Sequence, residues 1–215
     1  DHRDLHSFPT RRSVDLLVKD CWGDCIYVGR RSNGVLIENC LLDNGRRQGV
    51  SVTNAERVTI RKCEIMNVSG TPPQYAIDIE PNANDTCDNI IIDNVKVFNC
   101  KGGFLVYGKA KNAFVGNVII RKSYPSGDGK IALNVIGCEK VVVEKCKILQ
   151  KNSMMMISCR DVNDVVIKNN SLHRHIDIGG KLKTVVSNIV KGNNLDYLSL
   201  DNCGNTFVDN NVWIK

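Results

Sequence analysis

Proline and aromatic residues are scarce in this 215-residue chain, which has five prolines and only 6% Phe, Trp and Tyr together. No stretch approaches the roughly 18 consecutive apolar residues that a membrane-spanning helix needs. Hydrophobic residues make up 42% and charged residues 24%, which excludes a disordered tail and fits one domain with a buried core. Val, Ile and Asn are abundant instead, and they favour short β-strands joined by tight polar turns over a helical bundle.

The positive charge of the chain is mild and is not organised for binding nucleic acid. The formal net charge is +6 and the isoelectric point is about 8.8. We find no basic stripe interleaved with aromatic residues and no zinc-finger spacing, so nucleic acid is not an expected partner. The charge is compatible with an acidic partner such as a uronic-acid polysaccharide, or with a basic surface that binds nothing.

The first 16 residues, DHRDLHSFPTRRSVDL, differ from everything that follows. They lack the apolar core of a secretory signal. They closely resemble DHRDLHSFPTRRSSDL, a peptide that results when sequencing-adapter DNA is translated. We therefore interpret residues 1–16 as an artefact or a disordered arm. We expect the natural N-terminus to be missing and the folded domain to span residues 17–215.

One short pattern recurs along the rest of the chain: alternating apolar residues, two polar residues and a second alternating pair. Clear copies read ERVTIRKCEI (Glu56 to Ile65) and KVVVEKCKI (Lys140 to Ile148). The aligned copies start at Val35, Val58, Ile90, Val118, Val141, Val165, Asn188 and Thr206. A second short strand precedes most copies, at Val50/Val52, Leu133/Val135, Ile157/Cys159 and Leu198/Leu200.

This repeat predicts an all-β fold, a right-handed parallel β-helix that forms a solenoid of about eight coils. The apolar residues alternate with period two, so Val58 and Ile60 face one side and Thr59 faces the other. One unit cannot bury its apolar face alone, but stacked units cover one another. Leucine-rich repeats, the main competing architecture, are excluded because the Leu positions of their consensus are absent.

Two columns of the repeat predict a tight corner of the backbone. We expect positive φ in the first column, because Asn and Gly tolerate it well. Its members are Asn39, Lys62, Asn94, Lys122, Lys145, Asn169, Gly192 and Asn210. We expect the next column to face the interior, with buried Asn side chains bonding between coils. Its members are Cys40, Cys63, Val95, Ser123, Cys146, Asn170, Asn193 and Asn211.

The ten cysteines fit the interior of the solenoid better than a metal site. Free thiols act as small hydrophobes at inward positions. Four are expected there: Cys40, Cys63, Cys146 and Cys159. Cys21 and Cys25 have a C-x3-C spacing, which is weak for zinc without a second pair, so we assign no metal ligands. A disulfide between Cys87 and Cys100 stays an alternative.

Outward-facing charges are expected to meet in one part of the solenoid. Between Ala76 and Glu80 the Ile residues face inward, so Asp78 and Glu80 project outward with Cα atoms roughly 6.5–7 Å apart. The two longest coils flank this spot, and added loop length beside outward charges is where grooves form. The expected neighbours are Arg46, Arg47 and Gln48 one coil earlier and Tyr107 one coil later. Together they predict a glycan-binding groove.

The stretch RRQGVSVTNAERVTIRKCEIMNVSGTPPQYAIDIEPN (Arg46 to Asn82) resembles bacterial and phage β-helix proteins of the pectate-lyase-like superfamily. The resemblance implies an extracellular or cell-surface protein that acts on a polysaccharide, or a trimer if it belongs to a phage tail. The superfamily includes lyases, hydrolases, epimerases, tailspike depolymerases and non-catalytic stalks. The G-H-G motif of polygalacturonases and the D-P-H motif of alginate epimerases are absent.

Three chemistries fit the predicted groove. In β-elimination, Arg46 or Arg47 neutralises the uronate carboxylate while Tyr107 or a lysine takes the C5 proton. In hydrolysis, Asp78 and Glu80 act as paired carboxylates. The only cofactor considered is Ca²⁺, with oxygen ligands available from Asp78, Glu80, Asn82 and Asp85.

The expected function is cleavage or modification of an acidic polysaccharide, with a lyase slightly preferred to a glycoside hydrolase. The predicted catalytic residues are Asp78, Glu80 and Arg47, and the predicted substrate-binding residues are Arg46, Gln48 and Tyr107. Two alternatives stay open. One is a non-catalytic glycan-binding or structural stalk, such as part of a phage tail or a surface adhesin. The other is an ion-pair ladder of the same charges that only fixes the register of the coils.

Overall fold

The structure, a computed structural model, describes residues 11–129, 131–150, 155–172, 175–179, 183–187, 190–191, 198–201 and 206–208. No helix occurs in these ranges. The strands are β1 (Arg11–Val14), β2 (Leu17–Cys21), β3 (Ile26–Val28), β4 (Ser32–Glu38), β5 (Leu41–Gly45), β6 (Val50–Val52), β7 (Ala55–Arg61), β8 (Glu64–Met66), β9 (Tyr75–Ile79), β10 (Thr86–Asp93), β11 (Lys96–Phe98), β12 (Gly102–Tyr107), β13 (Phe114–Val115), β14 (Asn117–Arg121), β15 (Ser126–Gly127), β16 (Leu133–Ile136), β17 (Lys140–Glu144), β18 (Leu149–Gln150), β19 (Met155–Arg160), β20 (Asp164–Lys168), β21 (Ser171–Leu172), β22 (His175–Gly179), β23 (Lys183–Ser187), β24 (Val190–Lys191), β25 (Leu198–Asp201) and β26 (Thr206–Val208).

Equivalent strands of successive coils pair in parallel. Sheet A contains β1-β4-β7-β10-β14-β17-β20-β23-β26 in that order, and β13 also pairs with β10. Sheet B contains β11-β8-β5-β2, and sheet C contains β25-β22-β19-β16-β12-β9-β6-β3. Two small sheets pair β15 with β18 and β21 with β24. The predicted all-β parallel solenoid is confirmed, since successive coils each add one parallel strand to sheet A and one to sheet C.

The predicted alignment of the repeats holds for the first six starting residues and for the eighth, Thr206, and fails for the seventh. The first six starting residues lie opposite one another in sheet A: Val35, Val58, Ile90, Val118, Val141 and Val165. Val165 then pairs with Thr184, and the prediction of Asn188 at this place is wrong. Both KTVVS and SNIVK alternate in the required way, and only the continuous backbone ladder selects the first of them.

The core consists of the inward-facing side chains of successive coils. In the described coils, a residue with positive φ forms the corner after the sheet A strand. Val58, Ile60 and their equivalents in the neighbouring coils are buried. The predicted corner residues have φ between 50° and 56°: Asn39, Lys62, Asn94, Lys122, Lys145 and Asn169. The next column faces inward as predicted: Cys40, Cys63, Val95, Ser123, Cys146 and Asn170 are all buried. The equivalent residues of the last two predicted copies lie outside the described side chains.

Asn170 shows how a polar side chain is accommodated in this core. Its Oδ1 accepts a hydrogen bond from the Cys146 backbone N–H at 2.8 Å, and its Nδ2 donates to the Val143 carbonyl oxygen at 2.8 Å. Both groups belong to the preceding coil, so the amide bonds between coils as predicted. Burial of this amide costs little because its hydrogen-bonding groups are occupied.

The cysteines in the described part of the chain are free thiols. Seven are buried, including the four predicted at inward positions, and only Cys21 and Cys25 are partly exposed. Cys87 and Cys100 are among the free, buried thiols, so the alternative of a disulfide between them is not supported. Burial raises the pKa of both thiols to about 12, which keeps them protonated at neutral pH.

A ladder of alternating charge runs along the end of sheet A. The paired residues are, in order, Glu38, Arg61, Asp93, Arg121, Glu144 and Lys168. Arg61 Nη2 donates to Glu38 at 2.9 Å, Arg121 Nε donates to Asp93 at 2.9 Å, and Lys168 Nζ lies 3.1 Å from Glu144. This ladder differs from the one considered from sequence, which involved Asp78, Glu80 and Arg46 or Arg47.

Strand β1 belongs to the segment that the sequence separates from the repeat. Arg11–Val14 pairs with Val35–Glu38 at the first edge of sheet A. The backbone of these four residues thus continues the ladder. The origin of residues 1–16 stays a prediction, and residues 1–10 lie outside the described part of the chain.

Candidate functional site

Strand β9 carries Asp78 on the face that points away from the core. Ile77 and Ile79 on either side of it are core residues with no exposed surface, so alternation turns Asp78 outward. Asp78 is nevertheless only 5% exposed, whereas Glu80 just beyond the strand is partly exposed. The expectation of two solvent-facing acids therefore holds for Glu80 and needs correction for Asp78, because neighbouring side chains cover it.

The cover over Asp78 comes from side chains of the same strand and the adjacent coils. In the register of sheet C, Asp78 lies between Ser51 and Leu105, which are also buried. Tyr75 is 6% exposed, and its ring lies against Gly102. A Cβ atom at Gly102 would lie 2.5 Å from the ring Cδ1, so only glycine lets the ring approach the backbone this closely.

Gln48 holds the Asp78 carboxyl group from the preceding coil. Its Nε2 donates to Asp78 Oδ2 at 2.5 Å, and its Oε1 accepts from the Tyr75 backbone N–H at 2.8 Å. Both ends of the amide are engaged, which fixes its orientation. Asp78 Oδ1 is buried, and no hydrogen bond reaches it from the described residues. The structure thus brings Gln48 and Asp78 into contact and leaves the other carboxyl oxygen buried.

Arg47 is bound to Asp24, a residue that sequence reasoning missed. Arg47 Nε donates to Asp24 Oδ1 at 2.7 Å, and Nη2 donates to Oδ2. Ser51 Oγ donates to the same Oδ2 at 2.9 Å. The hydrogen bonds to Asp24 are the main reason that the pKa of Arg47 is raised. The Asp24 side chain is 6% exposed and that of Arg47 is 45% exposed, so Arg47 still faces solvent.

The spacing of the repeat could have revealed Asp24. It lies 23 residues before Arg47, which is also the distance between the first two repeat starts. In the register of the flanking strands Asp24 lies level with Gln48, so aligning the two coils would have placed it next to Arg47. Tyr75 carried no such sequence signal, since its position depends on the backbone approach to Gly102.

The environment of Asp78 favours its protonated form. Burial, and after it the nearby charge of Glu80, raise the pKa of the Asp78 carboxyl to about 8, while Arg47 acts in the opposite direction. A carboxyl group with this pKa is largely protonated at neutral pH and can donate a proton. A buried proton donor beside a second carboxyl group can carry out acid–base chemistry on a glycosidic bond.

Arg46 lies apart from this group. Its guanidinium carbon is 4.1 Å from the centroid of the Trp22 ring, and its Nε donates to Thr71 Oγ1 at 3.1 Å. The structure therefore separates Arg46 from Asp78, whereas one groove with both arginines was predicted. The reason is local, since the consecutive side chains of Arg46 and Arg47 leave the backbone on different sides.

Tyr107 lies next to Glu80 in the register of sheet C. Val106 pairs with Ile79, so the residues that follow them, Tyr107 and Glu80, occupy neighbouring coils at the same level. Both are partly exposed. Tyr107 is thus a neighbour of the acids, as predicted, although its position is beside Glu80 rather than Asp78.

The residues considered for Ca²⁺ make other contacts. Asp85 accepts hydrogen bonds from Asn54 and from Asn82 Nδ2, the latter at 3.2 Å. In the part of the chain that the structure describes, no group of three or more Asp, Glu, His or Cys side chains is arranged to hold a metal ion. Ca²⁺ stays a prediction, and the chemistry proposed below does not depend on it.

Comparisons with known proteins agree with the fold. A family model described as a right handed beta helix region matches residues 15–119. The uncharacterized protein YclG of Bacillus subtilis (strain 168) is 30% identical over an alignment of 117 residues, and the match covers 48% of this chain and 18% of that relative. The chain therefore spans under a fifth of the relative's length. These similarities support a right-handed β-helix repeat, and the name of the relative states no activity. Among the residues that the structure describes, no helix is long and apolar enough to cross a membrane.

Proposed function

We propose that this β-helix protein hydrolyses an acidic polysaccharide, with Asp78 as the proton donor. The observation that carries the proposal is the covered Asp78 carboxyl group, whose pKa is raised to about 8 beside Glu80. Elimination, which the sequence alone slightly favours, is less well supported. Its predicted uronate-neutralising group, Arg47, already binds Asp24 through two nitrogen atoms. The family resemblance and the mild positive charge support an acidic glycan at the cell surface or outside the cell.

In the proposed reaction, Asp78 donates its proton to the glycosidic oxygen as the bond from that oxygen to the anomeric carbon breaks. Glu80, as a carboxylate, either attacks the anomeric carbon or takes a proton from the water that attacks it. The net reaction consumes one water molecule. Its hydroxyl group is added to the anomeric carbon, and a hydrogen is added to the leaving oxygen. Gln48 positions Asp78 through its hydrogen bond to Oδ2.

The glycan is expected to approach over Glu80 and Tyr107, which are partly exposed while Asp78 is covered. This places the reacting bond on the Glu80 side of Asp78. A proton donor shielded from bulk water keeps its raised pKa, because burial is the main cause of that shift.

The test is cleavage of polygalacturonate, alginate and a neutral galactan, followed by reducing-end and ultraviolet assays. We expect new reducing ends without the ultraviolet absorbance of an unsaturated uronate. Asp78→Asn is expected to lower kcat by about 10²–10⁴-fold. Glu64→Gln is the matched control, since this exposed acid pairs with Lys96 on another face and should leave kcat unchanged. The rate should fall as the pH rises past the Asp78 pKa of about 8, where the acid is lost.

Other results would point to the alternatives. Ultraviolet-absorbing products would show a lyase and would remove Asp78 from the role of acid in hydrolysis. Tight binding of a glycan with no new ends would favour a non-catalytic stalk or adhesin. Full activity of Asp78→Asn would exclude this site. A phage tail protein would be a trimer. The molar mass of the purified protein in solution measures whether it is one.

A further inference from the structure

We propose that Trp22 and Arg46 form a second part of the glycan site, a platform that binds the ring of a uronate residue. The proposal rests on the proposed function, because it assigns the substrate class of the same surface. Trp22 is 84% exposed, and Arg46 covers one face of its ring with a cation–π contact of 4.1 Å. An indole held in this way offers its remaining surface to a ligand.

The platform is built on the backbone of two adjacent coils. The Arg46 N–H donates to the Cys21 carbonyl oxygen at 3.0 Å, and the Arg47 N–H donates to that of Gly23 at 3.1 Å. Trp22 and Asp24 thus alternate along one coil beside Arg46 and Arg47 on the next. Arg47 binds Asp24, and Arg46 stacks on Trp22. Arg46 of the platform and Gln48, which binds Asp78, are therefore two residues apart in one segment.

A third coil fixes the orientation of Arg46. Its Nε donates to Thr71 Oγ1 at 3.1 Å, and the Thr71 N–H donates to the Arg46 carbonyl oxygen at 2.8 Å. In the described part of the chain, the terminal nitrogen atoms of this guanidinium donate no hydrogen bond. These nitrogens form a planar pair of donors, the geometry that binds a carboxylate through two hydrogen bonds.

The two side chains line a surface cavity of about 400 Å³ together with Ser69, Asn44 and the carboxyl group of Asp20, which accepts a hydrogen bond from Asn44 at 2.9 Å. This volume accommodates a sugar residue. Ligand sites are concave and combine apolar or aromatic surface with a few polar groups, as this cavity does. A pyranose ring can lie with its C–H face on the indole while its hydroxyls reach the polar edge. A carboxylate on that ring meets Arg46, which selects a uronate over a neutral sugar.

The distance to Asp78 suits one glycan chain. Trp22 belongs to the first coil of this surface and Asp78 to the third, so two coil spacings, about 10 Å, separate them along the solenoid axis. Trp22 lies level with Arg46, whereas Asp78 lies level with Ser51, five residues further along the coil. A glycan that reaches both Trp22 and the Asp78 group must therefore cross the coils obliquely. We expect the platform to contribute binding and not to take part in bond cleavage.

The experiment measures binding of an oligogalacturonate by calorimetry, beside the same oligomer with its carboxylates methyl-esterified. Trp22→Ala is expected to weaken binding of the acid form at least about tenfold, since Trp and Arg dominate such contacts. Trp22→Phe should retain most of the affinity. Arg46→Gln should make the acid and the ester bind equally. Phe98→Ala is the matched control, because Phe98 is an exposed aromatic residue that does not line the cavity.

The outcome separates this inference from the proposed function. Binding that depends on Trp22 in a protein that cleaves no glycan would support the platform and overturn the proposed hydrolysis. Cleavage with unchanged affinity in Trp22→Ala would overturn the platform and leave hydrolysis standing. Equal loss of affinity in Phe98→Ala, or no binding of the oligogalacturonate, would also overturn the platform. Circular dichroism and Tm confirm folding, which we expect to persist because Trp22 is 84% exposed.

Discussion

Two covered acids of this solenoid, Glu38 and Asp78, have similar burial and opposite electrostatics. Glu38 is 7% exposed and Asp78 is 5% exposed. Glu38 accepts hydrogen bonds from Arg61 at 2.9 Å and from Lys62 at 3.3 Å, and the bond from Arg61 is the main cause that lowers its pKa. Asp78 accepts its short bond from a neutral amide, and burial raises its pKa to about 8.

The difference shows that a small exposed surface does not decide alone what a carboxyl group does, since desolvation is the main cause of the pKa shift at Asp78 and the bond from Arg61 is the main cause at Glu38. A carboxylate between two cations stays charged and ties adjacent coils together. A carboxyl group beside an amide and another acid keeps its proton and remains available for chemistry. The ladder on sheet A is therefore structural, while the group on sheet C is the functional candidate.

The largest expected effect is on the pH dependence of stability. The Asp78 pKa is raised on folding, so its stabilising contribution is complete below the ordinary pKa and is lost as the pH rises through about 8. We expect the free energy of unfolding to fall by at least about 2 kcal/mol between about pH 5 and about pH 9, and Asp78→Asn to abolish that fall. Urea denaturation at both pH values measures it. Parallel profiles for Asp78→Asn and the unmodified protein would contradict this assignment.

A smaller effect is expected from the amide that holds Asp78. Gln48→Leu removes the donor to Asp78 and the acceptor for the Tyr75 N–H, and both remaining groups are buried. Such orphaned groups cost about 1–3 kcal/mol, so the free energy of unfolding should fall by that amount at neutral pH. The double variant Gln48→Leu with Asp78→Asn measures the coupling energy between Gln48 and Asp78. Strict additivity of the two changes would show that Gln48 does not act through Asp78.

The smallest effects are expected on the ladder, with the opposite dependence on pH. The Glu38 pKa is lowered on folding, so its contribution is present above the ordinary pKa and is lost as the pH falls through the folded value. Glu38→Gln should lower Tm at neutral pH and cease to matter in acid. Lys168→Met is the comparison variant, because Lys168 is a more exposed member of the ladder. It should lower the free energy of unfolding by only about 0–1 kcal/mol. A stability loss from Glu38→Gln that persists in acid would mean that packing, not charge, is involved.

Local patterns made most of the backbone predictable. Val58 and Ile60 alternate within a few residues, and Asn39 and Lys62 stand at the same place in consecutive repeats, so the fold and its corner follow from short segments. The seventh repeat failed because two adjacent segments satisfy the same pattern. The neighbouring coil selects Thr184, because strand β20 pairs along its whole length with Lys183–Ser187. A local sequence pattern does not contain this information.

The sequence by itself determined that this chain stacks into a parallel solenoid and that Asp78 faces away from its core, because alternation and repeat spacing are properties of neighbouring residues. Only the tertiary structure decided that Asp78 is buried and bound to Gln48, that Asp24 binds Arg47 and that Arg46 joins Trp22. These contacts depend on side-chain directions across coils, and they decide whether a carboxyl group is charged. The solvent and partners around a group set its pKa, and a sequence does not state either of them.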